Sequence, residues 1–227
     1  MKTLAINTAL KKTSIALIDG NKVVSEKTWL SNSNEAEKLM PEIAKLLKSK
    51  KVKYEDLKSV LLIKGPGSFT GLRIGVTVAN TIAHLQKIPV YAATTFQYLW
   101  AAHTANAKTT HGPLVLFAGK KEIYIQLTKT SKPILKKLDE AKEFFETKKL
   151  TNLHGALTDD QKKEFKAFKF KESKKPAGKI FLSLKKLEKG TLIKPFYVKG
   201  PAISKPKPQP KKAQAILGQK GPKGRNK

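Results

Sequence analysis

Lys64-Gly65-Pro66-Gly67-Ser68-Phe69-Thr70-Gly71-Leu72-Arg73-Ile74-Gly75 joins an apolar run, Leu57 to Lys64, to a stretch that is apolar on nearly all sides, Gly71 to Gln86. The run is short and bounded by glycines, which reads as a buried strand, and the longer stretch reads as a helix. Ile88 to Ala93 reads as the next strand and Phe96 to Ala105 as the next helix. Strand, glycine-rich turn, helix, strand is a βαβ unit, and such a crossover sets its two strands parallel.

Upstream, Thr3 to Thr8, Thr13 to Ile18 and Lys22 to Trp29 are strand-like runs, with Asp19-Gly20 between the last two. Asp-Gly suits a primed turn, because both central positions need positive φ, so the chain is expected to open as an antiparallel meander. Ser33 to Lys50 changes to helical spacing, with Glu35 and Glu37 near its start and lysines at its end, as the helix dipole favours. Meander, helix and βαβ together make an α/β fold.

The glycine-rich turn admits two readings. Backbone N–H groups converge where a strand opens into a helix, which makes Gly65, Gly67, Ser68, Thr70 and Gly71 candidates for holding an anion. The stretch lacks the Gly-Lys-Ser/Thr ending of a Walker loop, the spacing of a dinucleotide fingerprint, and the Gly-x-Ser-x-Gly frame of a nucleophile elbow. The plainer reading is a tight turn whose glycines fit where a side chain would not, Gly75 included, and whose Ser68 caps the helix.

The charge is large and mostly of one kind. The 227 residues carry 46 Lys+Arg against 17 Asp+Glu, a formal net charge of +29, and every basic residue except Arg73 and Arg225 is lysine. Lysine is a point charge without the planar fork of arginine, so this composition favours loose polyanion attraction over base readout. No cysteine is present, which excludes thiolate nucleophiles, disulfides and cysteine-based metal sites. The four histidines, His84, His103, His111 and His154, contain no helical His-x-x-x-His pair, so no metal site is expected. The longest apolar runs, such as Val60 to Ile63 and Pro113 to Ala118, are too short to span a bilayer, and Lys11-Lys12 interrupts any signal-peptide core. A cytoplasmic protein with no membrane contact is the expectation.

Downstream, Pro113 to Ala118 and Glu122 to Thr128 read as a second hairpin, Asp139 to Lys149 and Asp159 to Lys171 as weak amphipathic helices, and Thr191 to Val198 as a last strand, while Gly178 to Leu187 fits either type. Beyond Lys199 there is no acidic residue, and Lys205-Pro206-Lys207-Pro208-Gln209-Pro210 cannot donate a regular hydrogen-bond ladder. The expected division is an N-terminal subdomain over 1–106, a reduced second subdomain over 107–203 and a disordered basic tail over 204–227. Lys205, Lys207, Lys211 and Lys212 are the tail's candidates for RNA backbone contacts. With no aromatic residue after Tyr197, the tail itself offers no base stacking.

Gly-Pro-Gly-Ser-Phe-Thr-Gly-Leu-Arg-Ile-Gly over 65–75 closely resembles the signature of the TsaB family. The likeness continues through Val76 to Leu85, Ile88-Pro89-Val90 and Thr94 to Ala102, and returns in Asn32 to Pro41 and in Pro195-Phe196-Tyr197-Val198. What the resemblance implies is the actin/Hsp70/sugar-kinase-like (ribonuclease H-like) fold in a reduced two-subdomain form. It also implies a non-catalytic scaffold subunit in the synthesis of threonylcarbamoyladenosine at adenine 37 of tRNA. The implied partners are a TsaD-type catalytic subunit, a TsaE-type ATPase and, through the complex, tRNA, with ATP and metal on those partners and no cofactor in this chain. Alone, the same surface could form a homodimer.

The resemblance further places the partner surface on the two helices around Leu39 and Val78, with Leu39, Met40, Ile43, Ile74, Val78 and Ile82 as candidates, some of them expected to face the sheet. Where an active superfamily member carries aspartate in its first strand turn, this chain has Asn7, and before the basic pair of the second hairpin it has Ala118. Asparagine is a poorer ligand for a hard cation, so no catalytic residue is expected here. A small kinase or ATPase of the same superfamily, binding nucleotide near Asn7 and Gly65 to Thr70, is the enzymatic alternative, and a basic RNA-binding protein is the other.

Overall fold

The computed structural model describes residues 1–31, 34–103 and 112–198. Its first sheet begins as the expected meander: β1 (Lys2–Asn7), β2 (Lys12–Asp19) and β3 (Lys22–Leu30) pair antiparallel in sequence. After α1 (Glu35–Ser49) the chain enters β4 (Leu57–Ile63), crosses through α2 (Phe69–Gln86) and returns as β5 (Val90–Ala93). Both β1 with β4 and β4 with β5 pair in parallel, as a crossover connection requires. The helix α3 (Thr95–His103) then leads away from this sheet.

The second half repeats that plan in shorter pieces. β6 (Leu114–Phe117), β7 (Glu122–Gln126) and β8 (Ile134–Lys137) form a meander, α4 (Leu138–Thr147) follows, and β9 (Asn152–Ala156) pairs parallel to β6. α5 (Asp159–Glu164) then crosses to β10 (Lys169–Lys171), parallel to β9. Strand order is β3-β2-β1-β4-β5 in the first sheet and β8-β7-β6-β9-β10 in the second, the same arrangement twice. The chain next forms α6 (Ala177–Leu182) and comes back to the first sheet as β11 (Glu188–Gly190), antiparallel to β5.

The packing follows from alternation within strands buried on both faces. Leu4, Ile6, Val60 and Leu62 face α1 and α2, whereas Ala5, Leu61 and Ile63 face the layer between the sheets, where α3 and α6 lie. Leu114 and Leu116 of β6 join that middle layer from the other side. Val115 points outward to Phe145 and Phe165, which close the second sheet against α4 and α5.

Several sequence expectations need correction. Thr191 to Val198 forms no strand: Pro195 interrupts it, and its backbone partners are the Asn80 side chain and the Lys64 carbonyl. Asp159 to Lys171 divides into α5 and the short strand β10, and Gly178 to Leu187 resolves as α6 followed by irregular chain. β8, β9 and β11 were not anticipated. The boundaries proposed near 106 and 203, and the whole tail from 204, lie outside the described residues.

Candidate functional site

The glycine-rich turn is filled by the chain's own backbone. The turn after β1 lies directly on it: Ser68 N–H donates to the Ala9 carbonyl at 2.8 Å. A methyl group at Gly67 would fall on that same Ala9 oxygen, and one at Gly71 on the Thr8 oxygen. Ser68 is the N-cap of α2, its hydroxyl accepting from Gly71 N–H at 3.2 Å, as the plainer reading expected. Gly65 is fixed as well: its carbonyl accepts from Thr95 N–H at 2.8 Å, and a Cβ there would sit 2.5 Å from the Phe196 oxygen. Thr70, the second residue of α2, is exposed. Of the anion-loop candidates, Gly67, Ser68 and Gly71 are therefore committed to this contact between turn, loop and helix.

Asn7 ends β1 beneath the same turn and is completely buried. Its Oδ1 accepts from Ala9 N–H at 3.1 Å, so the side chain shapes the turn. The Tyr98 phenol of α3 lies beside the Ser14 and Asn7 side chains, and burial pushes it up from its ordinary value. A neutral amide pinned between its own turn and a neutral phenol cannot contribute the charge that holds a hard cation. Ala118 offers no polar side chain, and among the described residues no group of three His, Asp or Glu converges. The residues present do not fit a metal-bound nucleotide.

A cleft of about 740 Å³ opens between the two halves, lined by the β1–β2 turn, β3, α3, the β9–α5 connection and the segment leading to α6. Lys11 spans its mouth to Asp159 at the start of α5, 2.9 Å away, and Asp159 also meets Lys162 at 3.6 Å. The Lys11 hydrogen bond, its charge and Lys162 hold the Asp159 carboxyl below the usual aspartate range, while Asp159 in turn raises Lys11. A depressed carboxyl stabilises the fold above its unfolded pKa and loses that contribution as pH falls through the folded value; for the raised lysine the contribution is lost as pH rises through the folded value. An NMR titration should therefore find Asp159 ionising below an ordinary aspartate and moving back toward the normal range in Lys11→Ala, with Lys162 still holding part of the shift. No sequence signal pairs residues this far apart; the duplicated topology brings them together.

The six partner-surface candidates divide. Leu39 and Ile43 are completely buried and Ile82 is 4% exposed, all three in the core between α1, α2 and the first sheet. Met40 is 42% exposed, and Ile74 and Val78 are half-buried, packed on the edge of that core. Leu85, 68% exposed, extends the same strip of α2 and was not anticipated, although its spacing from Ile74 and Val78 is the signal that finds it. Ile74, Val78 and Leu85 form an apolar strip along α2, and Met40 is exposed on α1, the helix that touches it. Lys205, Lys207, Lys211 and Lys212 lie outside the described residues.

Comparison with known proteins gives a consistent set of likenesses. A family model described as TsaD: tRNA N6-adenosine threonylcarbamoyltransferase matches residues 29–191. The tRNA threonylcarbamoyladenosine biosynthesis protein TsaB of Bacillus subtilis is 37% identical over 101 residues, 44% of each chain. The protein of the same name from Escherichia coli is 30% identical over 95 residues, 42% of this chain and 41% of that one. The chain thus spans less than half the length of these curated relatives in the matched stretch. Among solved structures, YeaZ from Pseudomonas aeruginosa has a TM-score of 0.60 at 20% identity, covering 81% of this chain and 89% of its own. A second structure, described as a protein with similarity to peptidase YeaZ from Pseudomonas aeruginosa, has a TM-score of 0.68 at 19% identity, covering 87% and 99%. With the duplicated topology, these likenesses identify the actin/Hsp70/sugar-kinase-like fold. Among the described residues no helix is long and apolar enough to cross a membrane.

Proposed function

We propose that this chain, which belongs to the family whose model is described as TsaD: tRNA N6-adenosine threonylcarbamoyltransferase and resembles proteins named TsaB, acts in tRNA threonylcarbamoyladenosine synthesis as a non-catalytic subunit that docks on a TsaD-type catalytic partner. The observation that carries this reading is the apolar strip Ile74, Val78 and Leu85 along α2, together with Met40 exposed on the neighbouring α1. A helix pair whose inner face is already buried on the sheet has no use for a second apolar edge unless another surface covers it. The buried, neutral environment of Asn7 and the backbone-filled glycine turn support the non-catalytic part of the reading.

On this account the partner supplies ATP and metal chemistry, a TsaE-type ATPase and tRNA join through the complex, and the cleft of this chain does no phosphate chemistry. The basic residues of the tail, Lys205, Lys207, Lys211 and Lys212 among them, add affinity for the tRNA backbone without reading sequence. Co-expression with the TsaD-type protein of the same genome tests the docking. A complex that survives gel filtration is the expected result; elution of the two chains apart at working concentration overturns it.

A further inference from the structure

The segment from Thr191 to Val198 runs back along α2. It is pinned by paired bonds between Ile193 and the Asn80 side chain, 2.9 and 3.0 Å, and by Phe196 N–H to the Lys64 carbonyl at 2.7 Å. This lays Tyr197 beside Phe69, the first residue of α2, with ring centroids 5.4 Å apart and planes tilted by 35°. Both rings keep much of their surface in water, Phe69 40% and Tyr197 36% exposed. The Arg73 guanidinium lies one turn along, 5.5 Å from the Phe69 centroid. Arg73 is the one arginine among the described residues, and none of their carboxylates forms an ion pair with it.

We propose that Phe69, Tyr197 and Arg73 form a site for single-stranded RNA, in which an unpaired base stacks on the two rings and the guanidinium meets the neighbouring phosphate. Two exposed rings suit a base or an apolar protein surface equally; the charge around them decides. No Asp or Glu occurs from Leu57 to Lys121, which includes all of α2, nor from Thr191 to the last residue, Lys227. A carboxylate-free helix and strap, an arginine stacked on an aromatic face, and a lysine-rich sequence leading directly from Val198 all favour a polyanion carrying flat rings. The tail has no aromatic residue of its own, so this pair supplies the stacking that its lysines lack.

The site is separate from the apolar strip. At 3.6 residues per turn, Phe69, Arg73 and Asn80 share one flank of α2, and Ile74, Val78 and Leu85 another, roughly 140° around the helix. RNA and a protein partner can therefore occupy α2 together. The choice of RNA over another aromatic polyanion rests on the function proposed above; the geometry of the site does not.

The test is fluorescence anisotropy of a short labelled oligoadenylate RNA with the full chain, alone. Phe69→Ala and Tyr197→Ala should each weaken binding about 5- to 100-fold without changing its salt dependence, because stacking releases no counterions. Tyr197→Phe, which keeps the ring, should bind as the parent does. The proposal is overturned if the parent chain does not bind, if the alanine variants bind as the parent does, or if Tyr197→Phe loses as much as Tyr197→Ala. Alanine variants that lose pairing with the TsaD-type protein but keep RNA binding would also overturn it, by assigning the rings to the protein interface. RNA binding that persists in a chain unable to pair with that partner would leave this site standing and remove the function proposed above.

Discussion

Gly67→Ala is expected to destabilise the fold by about 3 kcal/mol, the upper part of the range for overpacking a filled site. For a chain of this size that is a fall in unfolding temperature of about 6–12 °C, measurable by calorimetry or by circular dichroism. The reason is local. The added methyl group would land on the Ala9 carbonyl oxygen, which is already accepting from Ser68 N–H at 2.8 Å, so it strikes fixed backbone and not the end of a movable side chain. To make room, the turn after β1 must lift, and the bond from Ala9 N–H to Asn7 Oδ1 that shapes it is strained too. Gly20→Ala is the matching control: Gly20 has φ +54 in the β2–β3 turn, but open space surrounds it, so only backbone strain of about 1 kcal/mol is expected. Equal losses at the two positions would mean that the glycine-rich stretch is an ordinary turn, not a seat for the first hairpin.

The second large effect is on association. Met40→Lys combined with Val78→Lys should weaken pairing with the proposed TsaD-type partner about a hundredfold or more, the scale of losing central anchors and placing charge in an apolar contact. The isolated chain should keep its unfolding temperature. Met40 is 42% exposed and Val78 sits at the margin of the core, and a lysine stem can lie along an apolar surface with its ammonium in water. Leu39→Ala makes the contrast: Leu39 is fully buried, so its truncation should cost about 2–5 kcal/mol of fold stability and reports on folding, not on docking. Isothermal titration or surface plasmon resonance reads the first effect and thermal unfolding the second.

What was legible in the sequence depended on how local its physics is. The β1–β3 meander, α1 and the β4–α2–β5 unit announce themselves because each buries a face set by its own periodicity, and Asp19-Gly20 marks the turn. β9 and β10 did not, because Asn152–Ala156 and Lys169–Lys171 are short and become strands only beside β6, which lies far away in sequence. β11, Glu188–Gly190, has no apolar pattern at all and is held by the edge of β5. Thr191 to Val198 looked like a strand from its apolar residues, yet its partners are a side chain of α2 and a single carbonyl.

The site was legible in the same measure. Helical spacing alone marks Leu39, Met40 and Ile43 as apolar, but only the packing of α1 on the sheet tells that Met40 faces out while its neighbours face in. The Ser68 cap was readable because capping is a property of adjacent residues. The Lys11–Asp159 link across the cleft and the Phe69–Tyr197 pair were not, since each joins parts of the chain that only the duplicated fold brings together.

If this chain enables threonylcarbamoyl transfer without performing it, as proposed, a reconstituted tRNA modification assay must depend on it. This chain is titrated into a fixed amount of the TsaD-type protein with its ATPase partner, ATP, tRNA and the threonylcarbamoyl donor, and modified adenosine is counted by mass spectrometry. The expected result is no modification without this chain, a rate that saturates near one chain per catalytic subunit, and no ATP hydrolysis by the chain alone. Modification that proceeds equally well without it, or hydrolysis by the isolated chain, would overturn the proposed role.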